Sequence, residues 1–528
     1  MLLSTALLGG LLFCCGCGGP GAGGDTQTLI YGRGSDADRL DPVSTDNGES
    51  IKVIVNVFEP LVTYAEETTE LVPGLAERWE QSDDGLTWTF HLRPDVKFHD
   101  GTPMNAEAVV FSFERMLQED HPHVYTTARP YRPNYTMIER VEAVDDDTVQ
   151  FTLKEPSAVF LANMAMFPAS IVSPTAVKKL KESFTKQPVG TGPFRFKSWQ
   201  KDQQLVLEAN EDYWGEPAEV QRAVFVPVSD DETRRRQIAL GEIHIADNLP
   251  PTVLDAVAKE PGIVTQHQPG LNVGYLTMQT TKPPLNNRKV RQAISKAIDK
   301  KTLVQQYYSG YARPAVNMMP YSMWGHHNAL YDELVDTQYD PIEAKTLLEE
   351  AAAEEGFSLP LKLELSVMDR PRPYMQQPVE TAAFIKDALR QIGIEVSVRP
   401  TPNARHFERL MSGDFELGLI GWSSDNNDPD NFLYTLVDQD NISEMGNNTS
   451  RFRSDELHAL LTQAQHETDT AKREALYHQA QELIVKEAPV VPLVHTEVRI
   501  ALRDNVKGYK LHPTSIVRLR RARLEAAK

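Results

Sequence analysis

Between residues 340 and 420 the apolar positions switch repeatedly between helical and strand spacing. Asp340-Pro341-Ile-Glu343 opens a helix with an acid at the cap, proline at the first helical position and an acid in the first turn. Its apolar stripe, Ala344, Leu347, Leu348 and Ala351, stops at Gly356. A strand over 361–367, a helix over 378–391 halted by Gly393, a strand over 394–398, a helix over 403–411 and a strand over 415–420 follow. This β-α-β-α-β order predicts a parallel sheet, since such crossovers are right-handed. The loops after 361–367 and 415–420 then open on the same rim, where open α/β sheets bind ligands.

The first half has shorter periods. Thr28 to Tyr31 reads as a strand, and Thr87–Leu92 and Thr148–Leu153 alternate as half-buried strands do. Each of the latter two follows an acidic turn, Asp83-Asp-Gly85 and Asp145-Asp-Asp147, which predicts two similar hairpins in a smaller α+β lobe. A helix begins at Asn105 between them. Gly190-Thr-Gly-Pro-Phe194 lacks the Gly-Lys-Ser/Thr of a phosphate loop and is a turn into a strand. The apolar run Ala488-Pro-Val-Val-Pro-Leu-Val494 is extended and crosses back toward the first lobe.

A chain of 528 residues exceeds one hydrophobic core, so two or three domains are expected. The net charge of −20 argues against a nucleic-acid partner. All three cysteines, Cys14, Cys15 and Cys17, lie near the start, which removes a disulfide framework, a thiolate metal site and a thiol nucleophile from the remaining chain. Leu2–Phe13 is apolar but too short to span a bilayer, as in a secretory signal. Cys17, followed by the glycine-rich tether up to Gly24, resembles the acylated cysteine of a bacterial lipoprotein, with a plain cleaved signal as the alternative.

Gly421-Trp-Ser-Ser-Asp-Asn-Asn-Asp-Pro-Asp-Asn-Phe432 places acids and amides behind the 415–420 strand. Arg370 and Arg372 follow the 361–367 strand. Opposite charges on one rim suit a small dipolar guest such as a short peptide, whose ends both need counter-charges once water is excluded. Arginine suits the carboxylate because its fork donates two parallel bonds. A single carboxylate suffices for the ammonium. The two charges are assigned to Arg372 and Asp425, with Tyr374, Trp422, Gly421 and Ser423 as neighbours and Arg370, Asp428 and Ser35 as further candidates. Asp428 and Asp430 also read as turn and cap residues. No histidine pair has i,i+4 ligand spacing, no Gly-x-Ser-x-Gly elbow exists, and no cofactor or metal is expected.

Several segments recur in order as they do in the solute-binding proteins of bacterial peptide ABC importers. They include Leu71-Val-Pro-Gly-Leu-Ala-Glu-Arg-Trp79, Asp84 to Arg93, Gly190 to Phe194, Asp212-Tyr-Trp214, Gly270 to Leu276, Pro284 to Ala293 and Trp422 to Phe432. The chain resembles that family over residues 28–510, its dipeptide-binding branch above all. The resemblance implies an α/β fold of the type II periplasmic-binding-protein kind (cluster C), two lobes and a hinge plus an extra domain, and no enzymatic activity. Domain I would comprise 25–62, 187–268 and 497–528, domain II 63–186 and domain III 269–496, after a leader over 1–24. Crossings between lobes would run at Asn272–Gln279 and Val490–Val498. It also implies Asp425 on the peptide amine and Arg372 on the carboxylate. Implied partners are short peptides, a permease and an ATPase. The protein itself would be a monomer outside the cytoplasmic membrane, touching it only through a lipid anchor. Met375-Gln-Gln377 replaces an Asn-Pro-Asn turn of the dipeptide binders. The same fold carrying haem, nickel, glutathione, a murein peptide or an antimicrobial peptide is one alternative, and a secreted peptide hydrolase is another.

Overall fold

A computed structural model describes residues 26–126, 128–443 and 446–526, so the leader and Cys17 lie outside the described residues. A twelve-stranded mixed sheet runs through the molecule. At one end Ile394–Thr401, Leu361–Met368 and Leu417–Ser423 lie parallel, as the β-α-β pattern predicts. Asn272–Met278 then pairs antiparallel with Leu417–Ser423. At the other end Thr28–Arg33 runs parallel to Arg222–Pro227 and Ile245–Asp247.

One strand, Val490–Arg503, belongs to both ends. Its first residues pair with Asn272–Met278 and its later ones with Ile263–Pro269 and Ile245–Asp247. The chain changes partner at Gly270 and Leu271, just ahead of the expected crossing, because Gly270 and Asn272 both bond to Thr496 there. Among the described residues no helix is long and apolar enough to cross a membrane.

Helix ends follow their local chemistry. Pro341–Glu355 starts where Asp340 accepts from the amides of Ile342 and Glu343. It stops where Gly356 takes a left-handed φ of 75°. The strand expected over 415–420 is displaced to Leu417–Ser423, because its pairing partner Asn272 sits opposite Ser423.

A separate four-stranded antiparallel sheet joins Ala76–Gln81, Thr87–Leu92, Thr148–Leu153 and Ile138–Asp145 in that spatial order, making the two expected hairpins one layer. Its alternation buries Trp88 and Phe90 on one strand and Phe151 on the next, under the helix Ala106–Leu117. The Phe113 and Phe90 rings meet Phe151 edge-on at 4.8 and 5.4 Å, each such pair worth about 1 kcal/mol beyond its buried area. This layer faces the rim of the parallel strands, and that contact makes the site.

Candidate functional site

Gly421 lies directly opposite Gly274 on the neighbouring strand. A Cβ at Gly421 would strike the Tyr374 ring, and one at Gly274 the Tyr374 carbonyl. The bare pair is a seat for the loop after Leu361–Met368, and it lays Tyr374 against the strand leading to Asp425. Arg372 and Met375 exchange backbone bonds at 3.0 Å, which closes that loop tightly. Thr496 Oγ1 donates to the Pro373 carbonyl at 2.9 Å, and Arg499 Nη1 donates to Gln376 at 2.9 Å. The shared strand Val490–Arg503 therefore grips the loop at two points.

Asp425 is held by one amide. Asn431 Oδ1 accepts from the Trp422 indole at 2.8 Å and from the Asp425 backbone at 3.3 Å. The carboxylate accepts from Tyr131 Oη at 2.8 Å, across from the four-stranded layer. Among the described residues no cation pairs with it. Burial pushes its carboxyl up to about 6, with the bonds from Tyr131 and Asn431 pulling down and the charge of Asp46 pushing up. Burial, reinforced by Asp425, raises the Tyr131 phenol well above its ordinary value.

The next residues complete the contact between lobes. Asn426 Nδ2 donates to Asn163 Oδ1 at 2.8 Å, and Ala158 N to the Gln465 carbonyl at 2.8 Å. Asp428 is spoken for within its own lobe: Arg473 donates to both its oxygens at 2.7 Å, and Tyr477 stands beside them. The same guanidinium lies 5.2 Å from the Trp324 ring, whose Nε1 donates to the Asn427 carbonyl at 2.7 Å. Asp430 accepts from Gln465, and burial, with Asp428 beside it, lifts its carboxyl to about 7.

Gly421, Trp422, Tyr374 and Asp425 thus come together. Ser423 ends the strand and is exposed. Ser35 is exposed in the loop after Thr28–Arg33. Arg370 and Arg372 are exposed too. The Arg372 guanidinium rests 5.4 Å from the Phe407 ring and has no carboxylate partner among the described residues. Tyr131, Asn163 and Trp324 were absent from the sequence candidates. Tyr131 lies in an irregular stretch with no periodicity to mark it, whereas Trp324 is a large aromatic in a proline-flanked loop and was findable.

A cavity of about 470 Å³ opens beside this contact, lined by Tyr64, Trp88 and Leu161 from one side and Trp324, Asn427 and Arg473 from the other. Another, of about 390 Å³, lies among Glu59, Trp214, Arg518 and Arg520, away from Asp425. Its polar groups are largely satisfied: Glu59 accepts from Thr191, Tyr213 and Trp214.

Two groupings bear on other chemistries. Ser366 Oγ and His406 Nδ1 are 2.9 Å apart, but both residues are fully buried and the second ring nitrogen bonds the Leu419 carbonyl, so no substrate reaches them. Asp438, Asp440 and His458 offer three metal-type ligand atoms. The histidine already bonds both Asp438 oxygens at 3.1 Å, which an ion pair explains.

Residues 70–444 match the family described as bacterial extracellular solute-binding proteins, family 5 middle. The di/tripeptide-binding protein 1 of Pseudomonas aeruginosa is 35% identical, over 90% of each chain. The heme-binding protein A of Haemophilus influenzae is 36% identical, over 87% of this chain and 85% of that one. The ABC transporter-associated periplasmic binding protein of Helicobacter pylori, solved in complex with the peptide STSA, is 34% identical. It superposes with a TM-score of 0.83 over 94% of this chain and 98% of that one.

Proposed function

Because the chain belongs to the bacterial extracellular solute-binding proteins of family 5, we propose that it captures short peptides, dipeptides foremost, and passes them to the permease of an ABC importer. The carrying observation is Asp425: a carboxylate enclosed between two lobes, bonded by Tyr131 and lacking a cation among the described residues. A peptide ammonium supplies that cation, and its entry offsets the cost of burying the charge. The carboxylate end falls to Arg372, whose fork is uncommitted to any acid among the described residues. Tyr374 and Trp422 wall the space between, since the glycine pair holds one and Asn431 the other. In this reading the protein is not an enzyme; it works outside the cytoplasmic membrane, tethered through Cys17, as a monomer beside a transmembrane pair and an ATPase. The proposal includes the domain boundaries expected from the sequence.

Calorimetric titration with free and C-terminally amidated dipeptides tests the assignment. Arg372→Ala is expected to weaken binding of the free-carboxylate peptide by about tenfold to a hundredfold and to leave the amidated one nearly unaffected. Equal losses for both would make Arg372 structural. Tight haem binding with no heat from any di- or tripeptide would move the cargo to the heme-binding branch. New free amines on incubation would restore the hydrolase alternative.

Acidity offers a second handle. Capture needs Asp425 ionised and the peptide amine protonated, the latter holding below about pH 8. Affinity is therefore expected to be greatest near about pH 7, to fall by about half at about pH 6 as Asp425 protonates, and to reach about a tenth of its maximum one unit lower. The free protein runs the other way. A carboxyl raised above its unfolded value contributes stability that is full below that value, about 3.9, and is lost as the pH climbs through about 6. Weaker binding in mild acid is thus not unfolding through this group. Affinity unchanged at ~pH 5 would remove Asp425 as the amine's partner.

A further inference from the structure

We infer that Arg499 and Gln376 form a positioning pair, which sets the loop after Leu361–Met368 so that the Arg372 fork meets the peptide's carboxyl end. The pair deepens the reading of Arg372 given above and rests on it. Arg499 Nη1 donates to Gln376 Oε1 at 2.9 Å, and the Gln376 amide donates in turn to the Pro373 carbonyl at 3.3 Å. Pro373 adjoins Arg372, so two bonds lead from the shared strand to the neighbour of the proposed anchor.

The pair is costly to keep. Arg499 is 8% exposed and Gln376 7%. Among the described residues Arg499 has no carboxylate partner, and its Nε has no hydrogen-bond partner. Burial pulls the guanidinium down to about 10, with Tyr311 and Glu497 pulling the other way. A buried charge answered mainly by one side-chain amide gives up stability that an apolar residue of similar size would keep. The remaining contacts of Arg499 reach toward the other end of the large sheet. Nη2 makes a long bond of 3.5 Å to the Leu249 carbonyl, just past Ile245–Asp247. The guanidinium also lies 5.4 Å from the Tyr311 ring, whose hydroxyl donates to Asp255 at 2.8 Å. Arg499 thus ties the loop to both ends of the sheet, whereas the Gly274–Gly421 seat ties it to one.

What the loop carries explains the need. Arg372 is exposed, on a long and rotatable stem. A fork that must donate two parallel bonds tolerates errors of about 0.5 Å and 10–20°. The stem does not supply that precision, so the backbone beneath it must stand still. The bonds between Arg372 and Met375 close the turn without orienting it on the strand. Thr496 and the Arg499–Gln376 pair orient it.

Calorimetric titration of the full chain with Ala-Ala and with Ala-Ala-amide tests the pair, on the native protein, Gln376→Leu and Arg499→Met. Each variant is expected to lose about tenfold in affinity for Ala-Ala and less than about twofold for the amide. Hydrogen exchange at the Arg372 and Met375 amides is expected to quicken in both. Should Gln376→Leu fold poorly by stranding the guanidinium, Arg499→Met removes that charge and carries the test. Equal losses on both peptides would make the pair a support of the fold alone, and undiminished Ala-Ala binding in both variants would show that the loop stands without it. Either result overturns the pair and leaves peptide capture intact. A native protein that binds the two peptides equally overturns the Arg372 reading, and the pair with it.

Discussion

Asp425→Asn is expected to weaken binding of free-amine dipeptides by at least a hundredfold, about 3 kcal/mol or more. The substitution is nearly isosteric, and asparagine's carbonyl oxygen still accepts from Tyr131, so the lobes keep their contact. Only the charge disappears. On the proposed reading the ammonium leaves water for a carboxylate that has no cation partner among the described residues, and the two desolvation costs are offset by one charge-assisted contact. Once that charge is gone, the ammonium is buried unpaired. An N-acetylated dipeptide provides the control: it should bind the native protein weakly and lose little more on substitution. Calorimetry on the four combinations yields a coupling energy, and a value near zero would show that the amine is held elsewhere.

Arg473→Met is expected to lower the stability of the whole protein by about 3–5 kcal/mol, read as a fall in the midpoint of urea unfolding. Asp428 receives two of its bonds from Arg473 and is 3% exposed, so its charge would be stranded among Tyr477 and Asp430. Trp324 would also lose the guanidinium against its ring. Adding Asp428→Asn to the same protein should recover most of the loss, because the stranded charge is then removed. A single-variant cost below about 1 kcal/mol would mean that water screens the pair.

Regular elements were largely legible in the sequence because their signals are local. The cap Asp340, Pro341 and the stop Gly356 bracket a helix by chemistry contained within a few residues. The same holds for the acidic turns ahead of Thr87–Leu92 and Thr148–Leu153. Asp425 was legible because it stands just past an apolar strand in a polar loop. Its neighbours were less so. Nothing near Arg473 announces that its side chain turns inward to meet Asp428, 45 residues away. Tyr131 lies 294 residues from the carboxylate it touches, in a segment without period. The glycine pair shows why such facts escape a linear reading: Gly274 and Gly421 matter as one surface, and that surface exists only after two strands have met. Arg372 was legible as a charge beside Tyr374, whereas its resting place on Phe407 depends on a helix that follows.

Val490–Arg503 also bears on how the molecule comes into being. Both ends of the large sheet await this one ribbon, which follows every other strand of that sheet in the chain. Neither end can complete the hydrogen bonds along its inner edge until that ribbon has been made.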